Sequence, residues 1–183
     1  VRLGRSKGEI MTEAFINRIA TAVPPHDVHA TFLQFGRNML HGDNRRLALF
    51  NRMADRSGIA HRYSFLEPAA DGAAVDAEGF YRRGAFPGTA ARMRKYEDCA
   101  PGLAVAAVEK LLQSEDRSRI THVIVTSCTG LSAPGIDMDL IGRCGLPPTV
   151  ERTMVGFMGC YAAINALKLA RHIVRSQPEA RVL

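Results

Sequence analysis

Apolar positions along this chain follow two rhythms, and the rhythms alternate. Phe15 to Val23 reads as a first strand, closed by Pro24-Pro25. From Ala30 to Leu40 the spacing turns helical, with Phe32, Leu33, Phe35 and Met39 as the apolar side, until His41-Gly42-Asp43 breaks it. Asp43 is placed to cap a second helix running through Arg56, with Leu47, Phe50 and Met53 at core spacing and Gly58 as its stop. Residues 67–87 mix Pro, Gly, Ala and Asp, and read as a long connection with a helical turn in it. Thr89 is a candidate cap for a helix reaching about Leu112. Pro101 is expected to kink that helix, and Leu103, Val105, Val108, Leu111 and Leu112 form its buried side.

Thr121 to Thr126 is a short β-prone run whose apolar centre suits a strand covered on both faces. His122 at its edge reads as structural. The turn-rich Ser127–Gly135 loop follows at the strand's C-terminal end, where ligands collect in open α/β sheets. Ile136 to Cys144 is a short helix ended by Gly145, and Pro147-Pro148 leads into a strand over Glu151–Phe157. A tight turn at Gly159 precedes a helix that starts at Cys160 and stops at Gln177-Pro178. Arg181-Val182-Leu183 reads as the opening of one more strand, so the sequence ends inside an element, as a truncated domain does. Helix and strand alternate throughout, which implies an α/β layered architecture.

The helix after Gly159 carries Ala162, Ala163, Ile164, Leu167, Leu169, Ala170, Ile173 and Val174 on nearly every face, and is expected to be buried. A cysteine at its start would face unpaired backbone N–H groups and the positive end of the helix dipole, both of which favour thiolate. Gly159 leaves room beside the sulfur for a carbonyl. Strand, sharp turn, nucleophile and helix make up the logic of a nucleophile elbow. The competing reading is a small apolar side chain filling a helix–sheet contact.

Composition narrows the classes. A chain of 183 residues holds one domain with a sizeable core. We divide it into an expected unstructured extension over residues 1–12 and a domain over 13–183; Met11 is a second candidate start, and a native N-terminal arm is the alternative. No apolar run is long enough to span a membrane, and the basic N-terminus has no signal-type apolar stretch. The four cysteines, Cys99, Cys128, Cys144 and Cys160, are far apart with no CxxC, which argues against a zinc site or a disulfide scaffold and for reduced thiols in the cytoplasm. The net charge of +6 suits an anionic ligand or a solvated basic surface. Nucleic acid is disfavoured, because no basic run is interleaved with aromatics. Arg52 and Arg56 share a helix face four residues apart. The pair suits a multiply charged phosphate, or stands as two solvated arginines.

Several blocks in order carry a family resemblance: Ile120–Gly130 with its Thr-Ser-Cys-Thr-Gly end, Ala133-Pro134-Gly135, Gly145-Leu146-Pro147-Pro148-Thr149-Val150, and Met158-Gly159-Cys160-Tyr161-Ala162. From about Phe15 to Leu183 the chain resembles the N-terminal half of type III polyketide synthases, the chalcone and stilbene synthase-like enzymes. The Ser-Cys-Thr-Gly and Phe-Met-Gly-Cys-Tyr-Ala-Ala wording is more similar to the bacterial alkylresorcinol and alkylpyrone branch. The resemblance implies a thiolase-like α-β-α fold with a mixed sheet and a buried nucleophile helix, present as its N-terminal half. It implies Cys160 as the nucleophile that carries the growing chain as a thioester. It implies that Arg52 and Arg56 hold coenzyme A phosphates, and that a third basic position of that set falls on Leu49. It places Cys128 and Thr129 on the elongation cavity. Ala133 falls where many members carry a Met reaching the neighbouring subunit's cavity, so a roomier cavity follows, and Ala133-Pro134 matches a cis peptide.

The implied activity is acyl transfer without a cofactor or metal: an acyl-CoA starter is loaded on Cys160 and condensed with malonyl-CoA, in a homodimer. The family's catalytic His and Asn have no counterpart among the six histidines here, so these residues by themselves are expected not to extend a chain. Three alternatives stay open. One is a ketoacyl-ACP synthase III-like condensing enzyme. The second is a non-catalytic remnant or dimerisation half. The third, disfavoured by the lack of a resolving cysteine nearby, is a thiol-redox protein.

Overall fold

A computed structural model describes residues 13–183. The extension expected over residues 1–12, and the choice between Val1 and Met11, lie outside them. The chain forms two compact units, residues 22–95 and residues 13–21 together with 96–183.

In the unit of residues 22–95, the two-residue strands β1 (His26–Asp27) and β2 (Tyr63–Ser64) pair antiparallel. Asp27 locks that pairing. Its Oδ1 accepts the His29 and Arg62 N–H groups at 3.0 and 3.1 Å, and its Oδ2 lies 2.6 Å from His61 Nδ1. The His61 hydrogen bond, then those two N–H groups, lower the Asp27 carboxyl to about 2. Helix α1 (His29–Met39) buries Phe35, as its spacing foretold. Helix α2 (Asn44–Arg56) is capped by Asp43, whose side chain accepts the Arg46 N–H at 3.0 Å. The two helices approach closely because position 36 is Gly: a Cβ there would stand 2.6 Å from Phe50 Cζ. Leu47 and Phe50 are half-buried, but Met53 is 63% exposed and no residue of α2 is fully buried. Core spacing for Met53 is thus corrected: the apolar stripe of α2 is wider than the surface that covers it.

Residues 67–87 hold no helical turn. They fold on themselves through bridges at Pro68–Asp76, Ala74–Arg82 and Arg82–Ala85. Asp76, 1% exposed, organises them by accepting the Phe80 and Tyr81 N–H groups at 2.7 and 2.8 Å. A buried carboxylate with two backbone donors replaces the turn that composition suggested.

Helix α3 (Thr89–Leu111) continues through Pro101 as one element. Thr89 is its first residue and not its cap; its hydroxyl accepts from the Arg92 side chain at 3.3 Å. In the second unit, Val108 and Leu112 meet Val123, Ile136, Leu140, Cys144, Leu146 and Val150 in the hydrophobic core. Strand β3 (His122–Ser127) lies parallel to β4 (Glu151–Gly156), with His122 opposite Glu151 and Ser127 opposite Gly156. On the other side of β3, the Leu183 N–H donates to the His122 carbonyl at 2.9 Å and the Ile124 N–H to the Leu183 carbonyl at 2.8 Å. The strand expected at residues 181–183 is therefore pairing. Buried His122 is held by Thr121 Oγ1 at 2.8 Å, a structural role as expected.

Helix α4 (Ile136–Arg143) and helix α5 (Ala162–Ser176) complete the unit. Two expectations fail here. Residues 15–23 form no strand; Phe15, Ile16, Ile19 and Val23 are exposed. A strand needs a backbone partner as well as an apolar rhythm, and no described residue pairs with this run. Helix α5 is not buried: of its residues only Ala162 is, while Ile164 and Leu167 are exposed. Its Ala163, Ala166, Leu167, Ala170 and Val174 instead wall a groove of about 840 Å³ floored by Ile124 and Thr126 and flanked by Phe15 and Ile16. Apolar residues on every face show what a helix can bury, and the neighbours decide what is covered.

Candidate active site

The candidate nucleophile is presented by the exit from β4. After Gly156 the chain takes positive φ twice, at Phe157 (φ 57°) and Gly159 (φ 62°). For Phe157 this is a costly conformation, on the order of 1–2 kcal/mol. Gly159 carries no such cost and opens a short 3₁₀ turn, Gly159–Tyr161. Cys160 therefore sits in that turn, and α5 proper begins at Ala162; the expected start at Cys160 is corrected by one tight turn. Asn165 Nδ2, one turn into α5, donates to Met158 Sδ at 3.2 Å and ties the elbow to the helix. Cys160 is exposed, and no described residue packs it into a helix–sheet contact.

The parallel register brings a second loop to the same end of the sheet. Ser127 and Gly156 are paired, so the loops that follow β3 and β4 leave together. Cys128, Thr129 and Ala133 lie on the first of these and are all exposed. The Ala133–Pro134 peptide is cis. Two buttresses hold this loop. Tyr96 O–H donates to Ser127 Oγ at 2.8 Å, and a Cβ at Gly130 would collide with the Tyr96 ring. Further on, a Cβ at Gly135 would meet Asp137 Oδ1 at 2.6 Å. Asp137, buried at the start of α4, takes a 2.6 Å salt bridge from Arg152 on β4. Thus β4 and α4 are fastened to one another through the start of β4. Neither Cys160 nor Cys128, Thr129 and Ala133 line the 840 Å³ groove.

Arg52 and Arg56 belong to the other unit. Both are exposed on α2, and neither makes a hydrogen bond or ion pair with any described residue. Leu49, where the resemblance expected a cation, is 56% exposed on the same helix. All four cysteines are unbonded. Tyr96 and Phe157 had not been singled out from sequence. Tyr96 carries no local signal, because its partner is 31 residues away. Phe157 had one: it stands between Gly156 and Gly159 in a run that must reverse from strand to helix.

A parallel α/β unit that offers an exposed cysteine on a strand–turn–helix elbow is an arrangement suited to nucleophilic chemistry. Comparison with known proteins makes it specific. Residues 4–183 match the N-terminal domain of chalcone and stilbene synthases, and the chain belongs to that family. Among its relatives is bisdemethoxycurcumin synthase of Oryza sativa subsp. japonica, 33% identical over 175 residues, which cover 93% of this chain and 42% of the rice protein. Solved structures agree. The C-terminal type III polyketide synthase domain of Steely1, a type I/III hybrid from Dictyostelium, superposes with a TM-score of 0.75 at 21% identity, covering 93% of this chain and 46% of that one. The 1,3,6,8-tetrahydroxynaphthalene synthase of Streptomyces coelicolor A3(2) gives 0.73 at 23%, covering 90% and 44%. The chain thus spans less than half the length of these relatives and has their thiolase-like α/β fold. The expected mixed sheet is not formed among the described residues: β3 and β4 pair parallel, and β1 and β2 make a separate antiparallel pair.

Proposed function

We propose that this chain carries the acyl-loading half of a type III polyketide synthase reaction. Cys160 Sγ attacks the thioester carbonyl of a starter acyl-CoA, a tetrahedral oxyanion forms, and its collapse expels the CoA thiolate and leaves an acyl-cysteine. Malonyl-CoA, by loss of CO₂, supplies an enolate whose carbon attacks that acyl carbonyl; the acyl–sulfur bond breaks, Cys160 leaves as thiolate, and the extended chain stays on the CoA. The observation that carries this reading is the exposed Cys160 on the strand–turn–helix elbow, beside the loop holding Cys128 and Thr129. Those two residues and the small Ala133 line the path of the growing chain in this reading. Arg52 and Arg56 hold the CoA phosphates; their lack of any partner among the described residues supports it. The enolate needs positioned hydrogen-bond donors, which the resemblance assigns to a His and an Asn with no counterpart here. On the same reading the protein acts as a homodimer in the cytoplasm, takes no cofactor, and belongs to the alkylresorcinol and alkylpyrone branch.

Intact-mass spectrometry of the 183-residue chain with a fatty acyl-CoA tests the loading step. One acyl group should add to the wild type and none to Cys160→Ala. Equal acylation of both proteins would refute Cys160 as the nucleophile. With malonyl-CoA added, no extended product is expected from these residues; a polyketide would show that the donors lie within them. Replacing acyl-CoA by an acyl carrier protein separates this reading from the ketoacyl-ACP synthase III alternative, which requires loading from the carrier. A non-catalytic pairing half is favoured by one observation, the open groove beside α5. Stoichiometric acylation of Cys160 would exclude it.

A further inference from the structure

The resemblance implies a third cation at the position of Leu49, and another arginine, Arg45, stands one turn earlier on the same helix. Helix α2 reads Asn44-Arg45-Arg46-Leu47-Ala48-Leu49-Phe50-Asn51-Arg52-Met53-Ala54-Asp55-Arg56. At about 100° per residue, positions 45, 49, 52 and 56 fall within an arc of about 60°. They form one stripe, with Arg45 about 10 Å and Arg56 about 6 Å along the axis from Arg52. All four residues are exposed.

What distinguishes the stripe is how the neighbouring cations are used. Arg46 is tied to the capping carboxylate of Asp43 at 3.4 Å. Arg37, on α1, donates to Asn51 Oδ1 at 2.9 Å. Arg45, Arg52 and Arg56 make no hydrogen bond or ion pair among the described residues, and Asp55 pairs with none of them. Three unpaired guanidiniums along one stripe repel one another, and only Arg56, in the last turn, gains from the helix dipole. A polyanion bridging the stripe relieves that repulsion, and guanidinium forks suit phosphate oxygens. Leu49, 56% exposed, stands within the stripe, and Met53, 63% exposed, stands beside it. They give the stripe an apolar component, suited to a ligand that carries non-polar groups alongside its phosphates.

We propose that Arg45 is the third phosphate-binding residue of this chain, taking up one turn earlier the charge that Leu49 does not supply. The proposal rests on the CoA reading of Arg52 and Arg56. CoA binding to the 183-residue chain, followed by calorimetry at low salt, tests it. Arg45→Gln should weaken binding about fivefold and flatten its salt dependence, as loss of one charge-assisted contact at an exposed site does. Arg46→Gln, already paired, should stay within about twofold of wild type. Leu49→Lys should restore binding in the Arg45→Gln background, a rescue that a merely structural role for Arg45 would not give. Wild-type binding in Arg45→Gln, with losses in Arg52→Gln and Arg56→Gln, overturns the proposal and leaves the CoA reading standing. Undiminished binding in all three single variants, or none in the wild type, overturns the CoA reading of α2 itself.

Discussion

Cys144 and Cys160 occupy mirror positions and meet opposite fates. Each sits at a helix end beside a glycine in the left-handed region: Gly145 (φ 62°) follows Cys144 at the close of α4, and Gly159 (φ 62°) precedes Cys160 at the approach to α5. Cys144 is 0% exposed, within the core of Val123, Ile136 and Leu140. Burial first, and the Glu109 carboxylate next, push its thiol above the ordinary value of 9.0. Arg117 locks the corner by donating to the Cys144 carbonyl at 2.7 Å and to both Glu109 oxygens at 2.9 and 2.7 Å. Cys160 has no such enclosure. A cysteine's chemistry is therefore set less by its neighbours in sequence than by what is packed over it.

The comparison can be broken most sharply by alkylation. Iodoacetamide on the folded protein should modify Cys160 and leave Cys144 intact until denaturant is added, as read by peptide mass mapping. Modification of Cys144 at a similar rate would show that the core around α4 opens freely. Next in size is the cost of filling the buttress. Gly130→Ala should destabilise by about 1–3 kcal/mol in urea unfolding, because its methyl meets the Tyr96 ring. Tyr96→Phe keeps the ring and loses only the hydroxyl contact with Ser127, and should cost about 1 kcal/mol. A more diagnostic pair is Gly145→Ala against Gly159→Ala. Nothing lies within 4 Å of either added Cβ, so both should cost about 1–2 kcal/mol from backbone strain alone. Only Gly159→Ala should change the alkylation rate of Cys160; equal rates in the two variants would remove Gly159 from the site.

The smallest effects are in pH. Asp27 is held at about 2 against an ordinary 3.8. Its contribution is present above 3.8 and is lost as pH falls towards 2. Glu109, lowered by its hydrogen bonds from Arg117, adds to the same acid-side loss. Cys144 acts with the opposite sign: its raised value favours the folded state below 9.0 and fades as pH rises beyond it. Melting curves should therefore fall at both extremes, and Asp27→Asn should flatten the acid limb without touching the alkaline one.

Much of the fold could be read from local chemistry. Asp43 as a cap, Gly58 and Gly145 as stops, Gln177-Pro178 as a terminator and the β-prone run at residue 122 depend on nearest neighbours, and each stands close to where it was expected. The site was legible in the same way as far as the elbow at Cys160 and the Arg52–Arg56 face. What could not be read was everything that needs a distant partner. The run at residues 15–23 has a strand's rhythm but no backbone beside it, and α5 has a core helix's composition but an open groove at its side. Tyr96 reaches Ser127 across 31 residues, and Asp76 earns its burial only because residues 67–87 curl round it.

The sequence by itself determined the caps and stops of the short helices, which cysteine follows a turn glycine, and the family to which the chain belongs. These follow from caps, turn residues and periodicity, interactions that span a few residues. Only the tertiary structure decided which cysteine is sealed and which is open, and that the loops after β3 and β4 leave the sheet side by side. Burial and register are properties of pairs far apart in the chain, and no local pattern encodes them.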